Sequence, residues 1–144
     1  MSQENLDLVE QLMASADVDL VPVVRDDDLW AAATQAVASV IHPDVETVGT
    51  AVGGEGTYVG VDGFRDFMLD WLAPWGEYRS EVAQIIDRGD QVVAIYRMFG
   101  RREGSAHEVE GSAAWIWTIV DGKVARIVGY AEPHEALKAV GLEA

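Results

Sequence analysis

Two tryptophans, Trp115 and Trp117, stand two residues apart in an apolar run, AAWIWTIV. If that run is a strand, alternation places both indoles on one face. An aromatic wall of this kind can bind a flat, apolar ligand; the competing reading is a filled core in which the indoles pack on their neighbours. Trp71, Trp75, Tyr58 and Tyr96 can complete either arrangement.

The polar candidates are few. Arg97 interrupts an apolar strand pattern and can anchor a ligand carboxylate or lower a nearby acid's pKa; it can equally form a salt bridge at the sheet rim or at a dimer interface. Glu110 is the best-placed acid for general-base work on the same strands, yet alternation sets it opposite Trp115 and Trp117 unless a bulge intervenes. His42, His107 and His134 are the only histidines. No two of them sit at metal-ligand spacing with a supporting carboxylate, so no metal centre is expected. Residues 53–56, Gly-Gly-Glu-Gly, match neither a dinucleotide fingerprint nor a P-loop, and no serine sits in a nucleophile-elbow motif. No cofactor is expected.

Composition narrows the partners. Ten basic residues against 25 acidic ones give a formal net charge of −15. Such a field repels phosphate backbones and anionic membranes, so neither nucleic acid nor a membrane surface is an expected partner. The 113–120 run is too short to cross a bilayer, and the first residues lack the basic and apolar regions of a secretory signal. The absence of cysteine excludes disulfides and thiolate chemistry and suits a reducing cytoplasm. At 144 residues one domain with one core is expected over 1–144.

These side chains need elements to hold them. Helical spacing of Leu6, Val9 and Met13 predicts a first helix over 2–14, capped by Ser2. A connector containing Pro22 follows over 17–27. A second helix is expected over 28–41, stopped by His42-Pro43. A strand over 45–51, a glycine-rich turn and a short strand over 57–59 lead to a third helix over 64–71. Its Phe64, Phe67, Met68 and Trp71 fall at i, i+3, i+4 and i+7, with Asp62 as the expected cap and Pro74 as the stop. Strands follow over 78–86, 91–101, 108–120 and 123–130. The last two are joined by Asp121-Gly122, the strongest hairpin signal in the chain. A closing helix is expected over 133–140. Helices first and a strand meander after them predict an α+β domain.

From Val40 to Leu142, about 70% of the chain, the sequence resembles the SnoaL-like, polyketide cyclase-like branch of the nuclear-transport-factor-2-like superfamily. The resemblance rests on an ordered set: Ile41-His42-Pro43-Asp44-Val45, Tyr58-Val59-Gly60 with Gly63-Phe64, Ile86-Asp87-Arg88-Gly89-Asp90 with Val92, TIVDGKV over 118–124, Tyr130, and Glu135-Ala136-Leu137 with Gly141-Leu142. It implies a cystatin-like cone, in which a strongly bent antiparallel sheet packs on N-terminal helices around a pocket, and it implies a homodimer. Relatives include cyclases, ketosteroid isomerases, epoxide hydrolases and dehydratases. Anchored on Asp121-Gly122-Lys123, the resemblance puts the cyclase aspartate at Gly129 and the cyclase histidine at Trp115. Neither residue can exchange a proton usefully. The same comparison turns Trp115, Trp117 and Gly129 toward the pocket, where a small hydrophobic molecule is the expected partner. Three functions remain open at this point: an enzyme without the usual cyclase acids, a non-catalytic binding module, and a dimeric interaction protein.

Overall fold

Aspartate side chains start the second and third helices. In the computed structural model, which describes residues 2–13, 17–50 and 56–142, Asp19 accepts from the Val21 N–H at 3.1 Å and opens α2, Leu20–Arg25. Asp26 accepts from the Asp28 and Leu29 N–H groups, both at 2.9 Å, and opens α3, Asp27–Val37. The connector reading missed α2 because Pro22 suggested a break. Pro22 lies in the first turn, where no N–H partner exists, so it ends nothing. α1, Ser2–Leu12, precedes them and buries Val9 completely. The Ser2 side chain, Ala14 and residues 51–55, to which a cap, a helix end and a turn were assigned, lie outside the described residues.

α3 stops four residues short of its expected end and passes through a 3-10 turn, Ala38–Val40, into β1, Ile41–Gly49. His42-Pro43 therefore belongs to a strand. The pairing slips between Ile41 and Glu46, and a proline is tolerated where the ladder is interrupted. β2, Gly56–Val59, leads into α4, Gly60–Leu72, in which Asp62 sits in the first turn without acting as the cap. β3, Trp75–Arg88, starts three residues earlier than expected, and β4, Gln91–Arg102, β5, Glu108–Val120, β6, Lys123–Tyr130, and α5, Pro133–Ala139, follow. Asp121 and Gly122 have φ of 52° and 76°, as a type I′ hairpin turn requires.

The six strands form one open sheet in the order β2-β1-β6-β5-β4-β3. Four pairs are antiparallel, but β1 and β6 run parallel, so the sheet is mixed where an antiparallel one was expected. Slips in the pairing between Val82 and Gln84, and between Thr118 and Ile119, help it to curve. α1 to α4 pack on the concave face and α5 on the convex one, where Ala136 meets Val93, Ala114, Ile116 and Val128. Together these make an α+β domain. No helix among the described residues is long and apolar enough to cross a membrane.

Candidate functional site: an aromatic cavity without charged groups

Alternation along the central strands sends every second side chain into the concavity. From β3 come Tyr78, Ser80 and Val82, from β4 Tyr96, and from β5 Ala113, Trp115 and Trp117. The helices close over them with Trp30, Ala33 and Val37 of α3 and with Phe64, Met68 and Trp71 of α4. A cavity of about 400 Å³ remains between the two layers. Among the described residues that line it there is no Asp, Glu, His, Lys or Arg.

Trp115 is the centre of the aromatic wall. Its ring centroid lies 6.2 Å from Phe64, 5.8 Å from Phe67, 6.3 Å from Trp71, 5.9 Å from Tyr96 and 5.8 Å from Trp117. Most of these contacts are edge-to-face, the arrangement aromatic quadrupoles favour. α3 forms the outer wall and buries none of its residues fully. Arg65 of α4 ties it down. Its guanidinium donates to the Val24 and Arg25 carbonyls at 2.8 and 3.1 Å, pairs with Asp27 at 2.9 Å, and lies 5.9 Å from the Trp30 ring.

Gln11, Thr34 and Ser80 line the cavity as neutral polar groups, and two phenols, Tyr78 and Tyr96, add to them. Trp71 Nε1 donates to the Tyr78 hydroxyl at 3.0 Å, and that hydroxyl lies 3.7 Å from Met98 Sδ. Burial pushes the Tyr78 pKa up, and the bond from Trp71 opposes it. Burial also pushes the Tyr96 pKa up, with the neighbouring Trp117 N–H acting in the opposite sense. Trp117 Nε1 is buried and has no hydrogen-bond partner among the described residues. Both phenols stay protonated at neutral pH, so they can donate hydrogen bonds but cannot serve as resting bases.

Over residues 24–127 the sequence matches the SnoaL-like domain family. The chain belongs to that family. Among curated proteins none matches the sequence significantly. Several solved structures share the fold. The crystal structure of TerC, co-crystallized with polyporic acid, has a TM-score of 0.65 at 20% identity, covering 95% of this chain and 98% of that one. A putative SnoaL-like polyketide cyclase from Jannaschia sp. CCS1 has a TM-score of 0.66 at 16% identity, covering 99% and 95%. A hypothetical protein with a ketosteroid isomerase-like fold from Catenulispora acidiphila DSM 44928, in complex with trimethylamine, has a TM-score of 0.60 at 13% identity, covering 94% and 93%. At these identities the likeness shows the nuclear-transport-factor-2-like fold alone.

In this SnoaL-like chain the cavity gathers Trp71, Tyr96, Trp115 and Trp117 from the residues singled out in the sequence. The other four lie elsewhere. Arg97 follows Tyr96 directly and so points to the convex face, where it pairs with Glu81 at 3.2 Å and Glu110 at 2.8 Å. The β4–β5 pairing has no slip, which keeps Glu110 on that outer face as strict alternation requires. Trp75 is buried against Gly100, where an added Cβ would come within 2.6 Å of the indole. Tyr58 sets its ring edge on Phe67 and donates to Asp70 at 2.6 Å; the bond to that carboxylate pushes its pKa up to about 12. Gly129 is buried under Phe67 and Trp115, so it makes room for protein rings and does not line the cavity.

The three histidines are placed outside the cavity lining as well. His42 Nδ1 accepts from the Asp44 N–H at 3.0 Å, while His107 and His134 are exposed. Among the described residues, no three His, Asp or Glu side chains converge as metal ligands would. Sequence reasoning missed Tyr78, Trp30 and Phe64 as wall residues. Tyr78 and Ser80 carried a usable signal, since they alternate on the strand that faces Tyr96 across the β3–β4 pairing.

Proposed function

We propose that this SnoaL-like protein binds a small, neutral, largely apolar molecule in the cavity and performs no carboxylate- or imidazole-dependent proton transfer on it. One observation carries the reading: a cavity of about 400 Å³ whose described walls are mostly aromatic and aliphatic, with Gln11, Thr34 and Ser80 as neutral polar members and no charged or imidazole side chain. A volume of that order suits a molecule of two or three fused rings. Gly129 and Trp115, at the positions the cyclase resemblance assigns to acid–base residues, offer no proton acceptor. TerC co-crystallized with polyporic acid and the Catenulispora acidiphila protein in complex with trimethylamine support the idea that the fold houses small molecules.

The test is equilibrium dialysis of the protein against fluorene, a planar hydrocarbon, with chromatographic quantification. Saturable uptake of one molecule per chain is expected, with Kd on the order of 10 µM for a ligand of this size. Uptake that rises linearly without saturating would overturn the reading.

We place the protein in the cytoplasm, on its cysteine-free composition, and as a homodimer. Supporting the dimer, the convex face alternates Arg79, Arg97 and Arg101 with Glu77, Glu81, Glu108 and Glu110, a pattern that can complement a copy of itself. Sedimentation at micromolar concentration is expected to show twice the chain mass; a monomer would refute the assembly.

A further inference from the structure

The two halves of α3 are held differently. Its first turn is fastened: Asp26 caps it, Arg65 pairs with Asp27 at 2.9 Å, and Trp30 stacks on Phe64 at a centroid distance of 5.9 Å. From residue 31 to residue 40, no side chain makes a hydrogen bond or ion pair to another element among the described residues. The Thr34 hydroxyl donates only to the Trp30 and Ala31 carbonyls of its own helix. Neither α3 nor the 3-10 turn after it buries a residue fully. The closest backbone neighbours of α3 are α2 before it and that turn after it.

Empty space borders the loosely held half on two sides. Beneath it lies the cavity, and beside it a groove of about 480 Å³ runs between Gln35 and Ala38 on one side and Pro43 on the other. That volume can pass a ring compound of the size the cavity holds. Thr34, Ile41 and Val61, each half-buried, line both spaces and so stand between them. All three are β-branched and stiff at χ1, which makes opening by side-chain rotation alone costly. β1 is paired with β2 and β6, and α4 is seated on Gly63, Phe67, Met68 and Leu72, all buried. The part left free to move is the second half of α3 with its 3-10 turn, whose hydrogen-bond geometry is poorer than that of an α-helix.

We propose that the ligand enters and leaves the cavity through this groove, past Thr34, Ile41 and Val61, when residues 33–40 swing outward and the first turn of α3 stays fastened by Arg65. The inference rests on the reading of the cavity as a ligand site. A second exposed rim, at Gln11 and Val82, also borders the cavity, and a route there would touch none of the groove residues.

Ala38→Trp separates the two routes, because Ala38 is exposed and lines the groove but not the cavity. Binding of 9-fluorenone, whose absorption overlaps tryptophan emission, is followed by stopped-flow quenching of tryptophan fluorescence. An indole in the groove should slow association and dissociation alike, each by about 10-fold or more, and leave Kd within about twofold, since it obstructs the path without touching the bound state. Wild-type rates in folded Ala38→Trp would overturn the route and leave the ligand reading intact. A weaker Kd with unchanged association would overturn it too. Hydrogen exchange of the wild-type protein without ligand gives a test that needs no variant: amides of residues 34–38 are expected to exchange at least about 10-fold faster than those of residues 66–70 in α4. Equal exchange in the two segments would overturn the swing. Failure of wild type to bind 9-fluorenone in equilibrium dialysis would overturn the function reading itself.

Discussion

Phe67→Ala is expected to lower the free energy of unfolding by about 3–5 kcal/mol and the Tm by roughly 10–20 °C. Phe67 is completely buried, and its ring meets Tyr58, Trp71 and Trp115 at centroid distances of 5.8 Å each. The ring tip lies where a Cβ on Gly129 would come within 3.1 Å of it. Removing the ring strips apolar contacts from three aromatic neighbours at once. The void would adjoin the existing cavity, where α4 and the sheet cannot collapse without losing their other contacts. The loss should therefore fall toward the upper part of the range. Urea denaturation followed by far-ultraviolet circular dichroism measures it, with exposed Val59 as the control; Val59→Ala should change stability by less than about 0.5 kcal/mol. A Phe67→Ala loss below about 1 kcal/mol would mean that α4 does not seat on the sheet as described.

Restoring a carboxylate at the position the cyclase resemblance assigns to aspartate should damage the protein without conferring acid–base chemistry. At Gly129 an added Cβ would lie 3.1 Å from Phe67 Cζ and 3.3 Å from Trp115 Nε1, within a strand paired on both sides. Gly129→Ala should cost about 1–3 kcal/mol by overpacking alone. Gly129→Asp should cost more than Gly129→Ala at neutral pH, because a carboxylate is added to an apolar neighbourhood. The sign of the pH dependence follows. Burial raises the folded-state pKa of the new carboxyl above its unfolded value of about 3.9. The folded protein then holds more protons than the unfolded one between the two values. Stability relative to Gly129→Ala is therefore highest below pH 4 and declines as pH rises through the folded-state pKa. Thermal unfolding of both variants at pH 4 and pH 7 measures this. A Gly129→Asp protein that is relatively more stable at pH 7 would show that the site is wetter and more polar than the geometry indicates.

Local signals carried much of the fold. The Asp121-Gly122 turn needed only two residues that accept positive φ, and both adopt it. The i, i+3, i+4, i+7 stripe of α4 was legible because helix geometry alone places those four residues on one side. The division of labour within that stripe was not legible. Phe67 goes into the core while Phe64 and Trp71 reach the cavity, which depends on where the sheet curves away. The parallel pairing of β1 with β6 joins segments about 80 residues apart, and no local pattern encodes it. α2 was hidden by Pro22, a residue that breaks helices only beyond their first turn.

Alternation bears on the site in the same way. Tyr96 and Arg97 are sequence neighbours on a regular strand, so both cannot face one cavity. A stricter use of that rule separates them without a structure, and it gives Glu110 to the outer face with Arg97. Trp75 could not be placed by periodicity. Its destination is set by Gly100 on the paired strand, whose missing side chain leaves the space the indole fills. The relation of Trp117 to Tyr96 needed the β4–β5 register, in which Trp117 lies opposite Val92 and Tyr96 opposite Ala113.

The measurement that tests the central claim most directly is a crystal of the protein soaked with 2-bromofluorene and examined for the anomalous signal of bromine. The cavity account predicts a bromine peak inside the concave layer, with the ring density in van der Waals contact with Trp71, Trp115 and Trp117. Bromine found only on the outer surface at saturating concentration, with the cavity left empty, would contradict it.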